Sequence, residues 1–204
     1  MTLLIAIPCM DTVRYEFAES LANLCKHLSD IGIDYNLKWH ATSLIYLARE
    51  DLANHAINED YDYTLWLDSD MVFTPDMFDM LLSLKEDFAT GIYRSRRPPF
   101  SYVLRDLRSK HNRITELPNE PFCVSACGFG FVLIKTSAMF AVRKRYMTMF
   151  TPTASEGEDY AFCTRWLEMG NHIMAHPDVR PDHIAYIRLR CDDATKLVDY
   201  IQLR

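Results

Sequence analysis

Residues 63–73, YTLWLDSDMVF, decide the fold that this sequence predicts. An apolar run ends at two carboxylates, Asp68 and Asp70, and a second short apolar run follows them. Carboxylates this close at the end of a buried strand repel each other unless a cation or several hydrogen-bond donors balance their charge. Mg²⁺ and Mn²⁺ prefer oxygen ligands and often combine one or two carboxylates with the phosphates of a substrate. We therefore interpret the pair as a site for a metal ion and a nucleotide diphosphate.

The Asp68-Ser69-Asp70 stretch also has a plainer interpretation. All three side chains can accept backbone N–H bonds, so they could form a turn or cap a helix, and Thr74-Pro75 begins a helix shortly after them. The apolar strand in front favours the metal site, because ligands bind at the carboxyl ends of strands in α/β folds.

The residues before this stretch alternate between strand and helix patterns. Residues 3–8 are continuously apolar, as expected for a strand covered on both faces, and apolar residues then recur at helical spacing up to Gly32. Residues 35–39 predict a second strand and residues 44–58 a second helix. With the strand that ends at Asp68, this order predicts a parallel, doubly wound sheet.

The rest of the chain predicts further helices and strands. Residues 88–93 and 131–134 predict strands, and the basic stretch 94–121 predicts a loop with short strands. We further expect a helix from Thr74-Pro75 to 84, a helix over 137–145 capped by Thr136, a helix over 158–169, a strand over 173–175 and a terminal helix over 194–203.

The composition indicates one soluble globular domain, residues 1–204, with 49% hydrophobic residues. The net charge of -6 gives no general attraction to nucleic acid or to an anionic membrane. The apolar opening residues lack a basic flank and are much shorter than the ~20 residues of a membrane span. The six cysteines include no CxxC pair, so we expect reduced thiols in a cytoplasmic protein.

Two histidines are candidates for a third metal ligand. The imidazole of His183 would suit Mn²⁺ and would complete a set of two carboxylates and one histidine. Spacing alone does not choose between His183 and His176.

The acidic pair Glu158-Asp159 begins a predicted helix. Acidic residues in a first helical turn are favoured by the helix dipole. A carboxylate at a helix start beside a cleft can also act as a general base that takes the proton of an attacking hydroxyl. The sequence leaves both interpretations open.

Three more residues are candidates for ligand contact. Arg49 lies on a predicted helix, where it could be an ordinary surface residue or could bind a diphosphate with its guanidinium. Gly128 and Gly130 would allow the backbone to approach a ligand closely.

The order of these motifs resembles that of GT-A-fold glycosyltransferases of the family-2-like group. The resemblance covers residues 3–185, and its motifs are Pro8-Cys9-Met10-Asp11, Ala48-Arg49-Glu50-Asp51-Leu52, Leu67-Asp68-Ser69-Asp70-Met71-Val72-Phe73, Gly128-Phe129-Gly130, Gly157-Glu158-Asp159 and His183. It implies a single GT-A (Rossmann-like) α/β domain with a mostly parallel central sheet flanked by helices. Residues 1–93 would form its nucleotide-binding half and residues 94–204 its acceptor-side half.

The resemblance also implies a function, a metal-dependent transfer of a sugar from a nucleotide-sugar donor, most often UDP-linked, to an acceptor hydroxyl with inversion. Asp70 and His183 would hold Mn²⁺ or Mg²⁺, and Asp68 would approach the ribose and the water shell of the metal, beside Ser69. Asp159 matches the catalytic base, with Glu158 beside it. The nucleoside pocket and diphosphate contacts would come from Pro8, Cys9, Met10, Asp11 and Arg49, with Gly128 and Gly130 close to the ligand.

The acceptor is not determined by the sequence. We expect the acceptor to bind at loops 94–121 and 146–155. Because the first loop is basic, the acceptor could be a glycan, a lipid-linked glycan, another molecule with a hydroxyl group, or modified DNA. The chain lacks the C-terminal membrane-associated extension of polymerising members, so we do not expect long-chain polysaccharide synthesis. Residues 177–182 also lack the glycine that is common before the histidine of this family.

Two other functions remain as alternatives. A catalytically silent nucleotide-sugar-binding module would fit if Asp159 only stabilises its helix. A haloacid-dehalogenase-like phosphatase would use Asp68 as nucleophile and Asp192-Asp193 as its later acidic pair, but that family carries its first pair on the first strand.

Overall fold

The computed structural model describes residues 1–107, 113–191 and 198–202, with the backbone alone for 187–191 and 198–202. A central sheet carries helices on both faces. In the part of the chain so described, the helices are α1 (Tyr15–Asp30), α2 (Ile45–Asn58), α3 (Pro75–Ser83), α4 (Thr136–Tyr146) and α5 (Glu158–Leu167).

The central sheet has eight strands across the described residues, in the order β2-β1-β3-β8-β5-β9-β7-β6. They are β1 (Thr2–Cys9), β2 (Asp34–Ala41), β3 (Tyr63–Leu67), β5 (Phe88–Thr90), β6 (Leu104–Asp106), β7 (Phe122–Cys127), β8 (Phe131–Lys135) and β9 (Ile173–Ala175). Only β7 and β8 run against the other strands of this sheet. The predicted mostly parallel α/β fold is therefore confirmed, with β8 inserted antiparallel between β3 and β5.

Among the residues that the structure describes, two short pairs of strands lie outside the central sheet. The first pairs β4 (Met71–Val72) with β10 (Asp182–His183), and the second pairs β11 (Ile187–Cys191) with β12 (Val198–Gln202), both antiparallel. The first pair brings residues 182–183 beside residues 71–72, which are distant in the sequence.

The core has two layers, one on each face of the sheet. Along β1, Leu4 and Ala6 pack on the α2, α4 and α5 side, whereas Leu3, Ile5 and Ile7 pack on the α1 and α3 side. Because side chains alternate along a strand, a continuous apolar run can serve both layers at once. This is why residues 3–8 carry no polar position.

Two glycines follow the ends of helices. Gly32 follows α1 with φ +72°, and Gly170 follows α5 with φ +83°. Glycine adopts this left-handed conformation without the steric cost of a Cβ atom. The N–H of Ile33 then bonds the carbonyl of Leu28 at 2.9 Å, which closes the end of α1.

The prediction of a terminal helix over 194–203 was wrong, because residues Val198–Gln202 form strand β12. This strand pairs with β11, so its backbone hydrogen bonds are made to a neighbouring strand. A short helix without a packed face is marginal in water, and pairing with an available strand overrides local propensity. Asp192 and Asp193, the later acidic pair of the phosphatase alternative, lie outside the described residues.

The predicted capping role of Thr136 was also wrong. Helix α4 begins at Thr136 itself, and Lys135 occupies the capping position without a side-chain hydrogen bond. The Thr136 hydroxyl instead lies 3.4 Å from the hydroxyl of Thr64 on β3, in the buried interior. A hydroxyl buried beside another hydroxyl is satisfied there and is not free to cap the helix.

Strand β7 was missed in the sequence, where only β6 falls in the stretch predicted to hold short strands. Within the described ranges, every helix is too short or too polar to cross a membrane. The cysteines Cys9, Cys25, Cys123, Cys127 and Cys163 are free thiols.

Candidate active site

A cleft of about 820 Å³ opens at the carboxyl ends of β1, β3 and β5. Such ends are where ligands bind in open α/β sheets. The cleft is lined by Met10, Asp11, Thr12, Arg14, Asp68, Ser69, Asp70, Tyr93, Ser95, Arg96, Arg97, Val103, Asp159, His183, Ile184 and Tyr186. The structure thus gathers most of the residues that the sequence predicted for one site.

The pairing of β4 with β10 brings His183 beside Asp70. In this antiparallel pair His183 lies opposite Met71, and the Ile184 N–H donates to the Asp70 carbonyl at 2.9 Å. The Nε2 atom of His183 lies 3.4 Å from Oδ1 of Asp70. A two-residue strand therefore fixes both candidate metal ligands.

The orientation of His183 leaves one ring nitrogen facing Asp70. Its Nδ1 lies 2.9 Å from the carbonyl oxygen of Arg94, and because a carbonyl only accepts, Nδ1–H donates. The other ring nitrogen, Nε2, therefore faces the Asp70 carboxylate. A backbone carbonyl in this position is the usual partner that orients a metal-binding histidine.

His176, the competing candidate, lies elsewhere. Its Nδ1 accepts the Asp178 N–H at 3.2 Å, and it does not line the cleft. The placement of the two rings therefore favours His183 as the candidate ligand.

Arg96 binds the same carboxylate from the cleft side. Its Nη1 lies 2.5 Å from Oδ2 of Asp70, and its side chain is half exposed. Burial alone would raise the pKa of Asp70, but His183 and Arg96 outweigh it and hold this pKa below its usual value. Asp70 is therefore ionised and surrounded by groups that balance its charge.

The donor set fits a divalent metal only in part. Across the residues that the structure describes, no three His, Cys, Asp or Glu side chains are close enough to form a metal site. Asp70 and His183 would supply two ligands, and a substrate diphosphate and water would have to supply the others. Oxygen together with imidazole suits Mn²⁺, and metals at phosphate sites are commonly held by few protein ligands.

Arg49 joins Asp68 to Glu158 beneath the cleft. Its Nη2 lies 2.8 Å from Oδ1 of Asp68, its Nε lies 3.5 Å from Oε1 of Glu158, and its side chain is only 3% exposed. It does not line the cleft. The structure thus gives Arg49 a position behind the cleft wall, and its predicted contact with a base or phosphate stays a prediction.

The two members of the acidic pair point in different directions. Glu158 faces Arg49, whereas Asp159 lines the cleft. Burial and the neighbouring Glu158 raise the pKa of Asp159 to about 6, against the opposing effect of Arg49. A carboxylate with this pKa is mostly ionised at neutral pH and still basic enough to accept a proton.

The predicted nucleoside motif, residues 8–11, is divided between the core and the cleft. Met10 and Asp11 line the cleft, as Ser69 does, while Pro8 is buried and Cys9 is half-buried at the end of β1. Burial, with a smaller effect of Asp11, raises the pKa of the Cys9 thiol. Pro8 and Cys9 therefore shape the strand end behind the two exposed residues.

Tyr93 is a cleft residue that sequence reasoning missed. It follows β5, is 6% exposed, and packs edge-on against the His183 ring at 5.2 Å between centroids. The Gly130 N–H donates to its hydroxyl at 2.9 Å. Tyr93 also occupies the space in front of Gly128 and Gly130, so a close approach of ligand to these glycines stays a prediction.

Solved structures similar to this chain include known glycosyltransferases. GalNAc-T7, solved with UDP, GalNAc and Mn²⁺, is 10% identical with a TM-score of 0.58, and the match covers 90% of this chain and 43% of that one. The catalytic domain of Drosophila β1,4-galactosyltransferase 7, solved with xylobiose, is 12% identical with a TM-score of 0.55, covering 98% and 92%. The chain has a GT-A fold.

A further similar structure is A197 from STIV, with 21% identity and a TM-score of 0.61, covering 97% of this chain and 92% of that one. No protein-family profile and no curated protein sequence matches the chain. At these identities the likeness establishes the fold, and the chemistry has to be argued from the site.

Proposed function

We propose that this protein is a metal-dependent glycosyltransferase that moves a sugar from a nucleotide-sugar donor to an acceptor hydroxyl. One observation carries this proposal: Asp70 with His183, and the basic carboxylate of Asp159, line the same cleft at the carboxyl ends of the strands. A pair that could hold a metal would stabilise the departing diphosphate, and a proton acceptor in the same cleft would activate the acceptor hydroxyl.

The roles follow from the position of each group. Asp70 and His183 would hold Mn²⁺, which would stabilise the negative charge of the departing diphosphate. Asp68, fixed by Arg49, would stand beside the metal and the ribose. Met10, Asp11 and Ser69 would line the nucleoside end of the cleft.

Asp159 would act as general base. It would take the proton from the acceptor hydroxyl while the acceptor oxygen bonds to the anomeric carbon and the bond from that carbon to the diphosphate breaks. Direct displacement of this kind inverts the anomeric centre. Because Glu158 is engaged with Arg49, we propose that it positions the site and does not itself accept the proton.

A UDP-linked donor is the leading candidate. It is supported by the general kind of ligand in GalNAc-T7, which was solved with UDP, GalNAc and Mn²⁺. The acceptor would approach over the basic stretch after Tyr93, where Arg96 and Arg97 line the cleft. Its identity is left to experiment, with glycans and lipid-linked glycans first to be tried.

A thermal-shift screen of UDP- and GDP-sugars with Mn²⁺ tests the proposal. Ligands that bind only the folded state raise the melting temperature, by roughly 5 to 10 °C at a hundredfold excess over Kd for a chain of this size. Released nucleoside diphosphate then reports slow donor hydrolysis.

Two variants make this screen specific. Asp70→Asn should lose the metal-dependent shift, whereas Asp30→Asn, which makes the same change at the exposed end of α1, should keep it. A folded protein that responds to no nucleotide sugar would rule out the proposed function.

A further inference from the structure

The hydroxyl of Tyr93 is a buried hydrogen-bonding group at the cleft wall. The Gly130 N–H donates to this oxygen at 2.9 Å, and since an amide N–H cannot accept, the phenolic hydrogen takes no part in that bond. Within the described ranges of the chain, no acceptor is recorded for it. A buried donor without a partner is costly, so a site that keeps one usually has a further use for it.

The position of this hydroxyl depends on two glycines. A Cβ atom at Gly128 would collide with the Tyr93 hydroxyl and would lie 2.8 Å from Cγ1 of Val103. A Cβ atom at Gly130 would lie 2.9 Å from the same hydroxyl and 2.8 Å from Cζ of the ring. Real Cβ contacts are longer than this, so both positions need glycine to admit the hydroxyl. Gly128 and Gly130 therefore leave the space that the Tyr93 hydroxyl occupies.

The neighbours of Tyr93 show which part of a substrate it would meet. Its ring rests against His183, on the side that would hold the metal and the diphosphate. Asp68, on the metal side, and Asp159, the proposed base, line the same cleft as Tyr93. In a displacement at the anomeric carbon, the sugar lies between the diphosphate and the base.

We propose that Tyr93 is a sugar-binding residue, whose phenolic O–H donates a hydrogen bond to a hydroxyl oxygen of the transferred sugar. This inference rests on the proposed function, because it uses the metal side and the base as the two ends of the donor. Tyr93 would thereby contribute to the choice of sugar, whereas the other proposed donor contacts are to the nucleotide and its diphosphate.

The test compares Tyr93→Phe with the natural protein by calorimetry in Mn²⁺. The titrants are the nucleotide sugar found in the thermal-shift screen and the corresponding nucleoside diphosphate. We expect the sugar nucleotide to bind roughly 3- to 10-fold more weakly, as for the loss of one hydrogen bond. The nucleoside diphosphate should bind as before. Tyr102→Phe is the matched control, because Tyr102 stacks on Arg94 and lies outside the cleft lining.

Three other results would contradict the proposal, each for a different reason. Equal binding of the sugar nucleotide to both proteins would overturn the role of Tyr93. A parallel loss for both ligands would also overturn it, since that pattern would mean that Tyr93 only supports the Gly130 N–H. Failure of the natural protein to bind either ligand would refute the proposed function and this inference with it.

A second measurement begins with the natural protein, so its first part does not depend on whether the variant folds. Nucleotide sugars that lack single hydroxyls are titrated into the natural protein, and one of them should bind weaker by the same factor. In Tyr93→Phe that analogue should bind as well as the parent sugar nucleotide, because the hydrogen bond is already absent. If no deoxy analogue is weaker in the natural protein, a hydrogen bond from Tyr93 to a sugar hydroxyl is excluded.

Discussion

The Nε2 atom of His183 lies 3.4 Å from Oδ1 of Asp70, although the two residues are far apart in the chain. Strands β4 and β10 hold them together, and the Arg94 carbonyl fixes the ring. Contacts within the chain therefore hold the pair in place. Ligands that the protein positions in this way reduce the cost of ordering a metal site.

His183→Gln should weaken Mn²⁺ binding at least ~10-fold, since even partners that only orient metal ligands usually matter by 10- to 100-fold. The measurement is the free Mn²⁺ signal in electron paramagnetic resonance, with a saturating nucleotide sugar present. His176→Gln is the control, because its ring lies outside the cleft. Equal losses in both variants would contradict the assignment of His183.

Arg96→Gln should strengthen Mn²⁺ binding in the absence of a donor. The Arg96 guanidinium sits 2.5 Å from Asp70, so a metal has to compete with it for that carboxylate. Because Arg96 is half exposed, the pair is worth at most about 1 kcal/mol, which corresponds to a gain of up to about fivefold. The same resonance titration measures it.

Arg97→Gln controls for the general loss of positive charge in the cleft, since Arg97 lines the cleft without an ion pair to Asp70. Competition by Arg96 would be refuted if both variants gained equally, or if Arg96→Gln bound Mn²⁺ more weakly than the natural protein.

The value of kcat/KM should rise with pH around 6 and then level off. Asp159 has to be ionised to accept a proton, and its pKa is raised to about 6, so activity is lost as the pH falls through that value. Initial rates with buffers from about pH 5 to 8 give the profile, which requires a donor and an acceptor already identified.

Asp159→Asn should lower kcat by roughly 10²- to 10⁴-fold while donor binding persists. This variant also separates an enzyme from a silent binding module. Unchanged turnover in Asp159→Asn would remove Asp159 as the base.

Arg49→Met should lower the free energy of unfolding by about 3–5 kcal/mol. The change leaves the carboxylates of Asp68 and Glu158 without their buried partner, which is the costly way to break such an arrangement. Urea denaturation followed by tryptophan fluorescence measures it, since the Trp66 ring lies 5.8 Å from the Arg49 guanidinium carbon.

Arg97→Met, at an exposed position, should change the stability by less than about 0.5 kcal/mol. The double variant Arg49→Met, Glu158→Gln should recover part of the loss, because one unpaired charge is removed. Equal stability of the Arg49 and Arg97 variants would show that the buried ion pairs contribute nothing.

The sequence predicted the part of the site that follows long, regular strands. β1 and β3 are continuous apolar runs, so Asp11 and Asp68 to Asp70 could be placed at strand ends from local patterns alone. The start of α5 similarly carried Asp159. These features follow from the spacing of apolar residues along the chain, which can be recognised from a short stretch of sequence.

Other parts of the site depend on contacts between distant residues. The choice of His183 over His176 rests on a pair of two-residue strands, which are too short to leave a periodic pattern. The same reason explains why β12 was mistaken for a helix, because its partner β11 decided its conformation. Pairing of this kind is a tertiary property.

Tyr93 was missed because a tyrosine at the end of an apolar strand is usually a core residue. Gly128-Phe129-Gly130 was a signal that could have pointed to it, since two glycines one residue apart imply that something packs closely against the backbone. The sequence could not show that the close neighbour is a tyrosine and not a ligand.

The central claim is that a nucleotide sugar binds through a metal at Asp70, and calorimetric titration of the best donor from the screen tests it most directly. We predict saturable binding to the natural protein with Mn²⁺, little binding with a chelator, and a loss of at least ~10-fold in Asp70→Asn with Asp30→Asn unchanged. Donor binding that is the same with the chelator, or the same in Asp70→Asn, would contradict the claim.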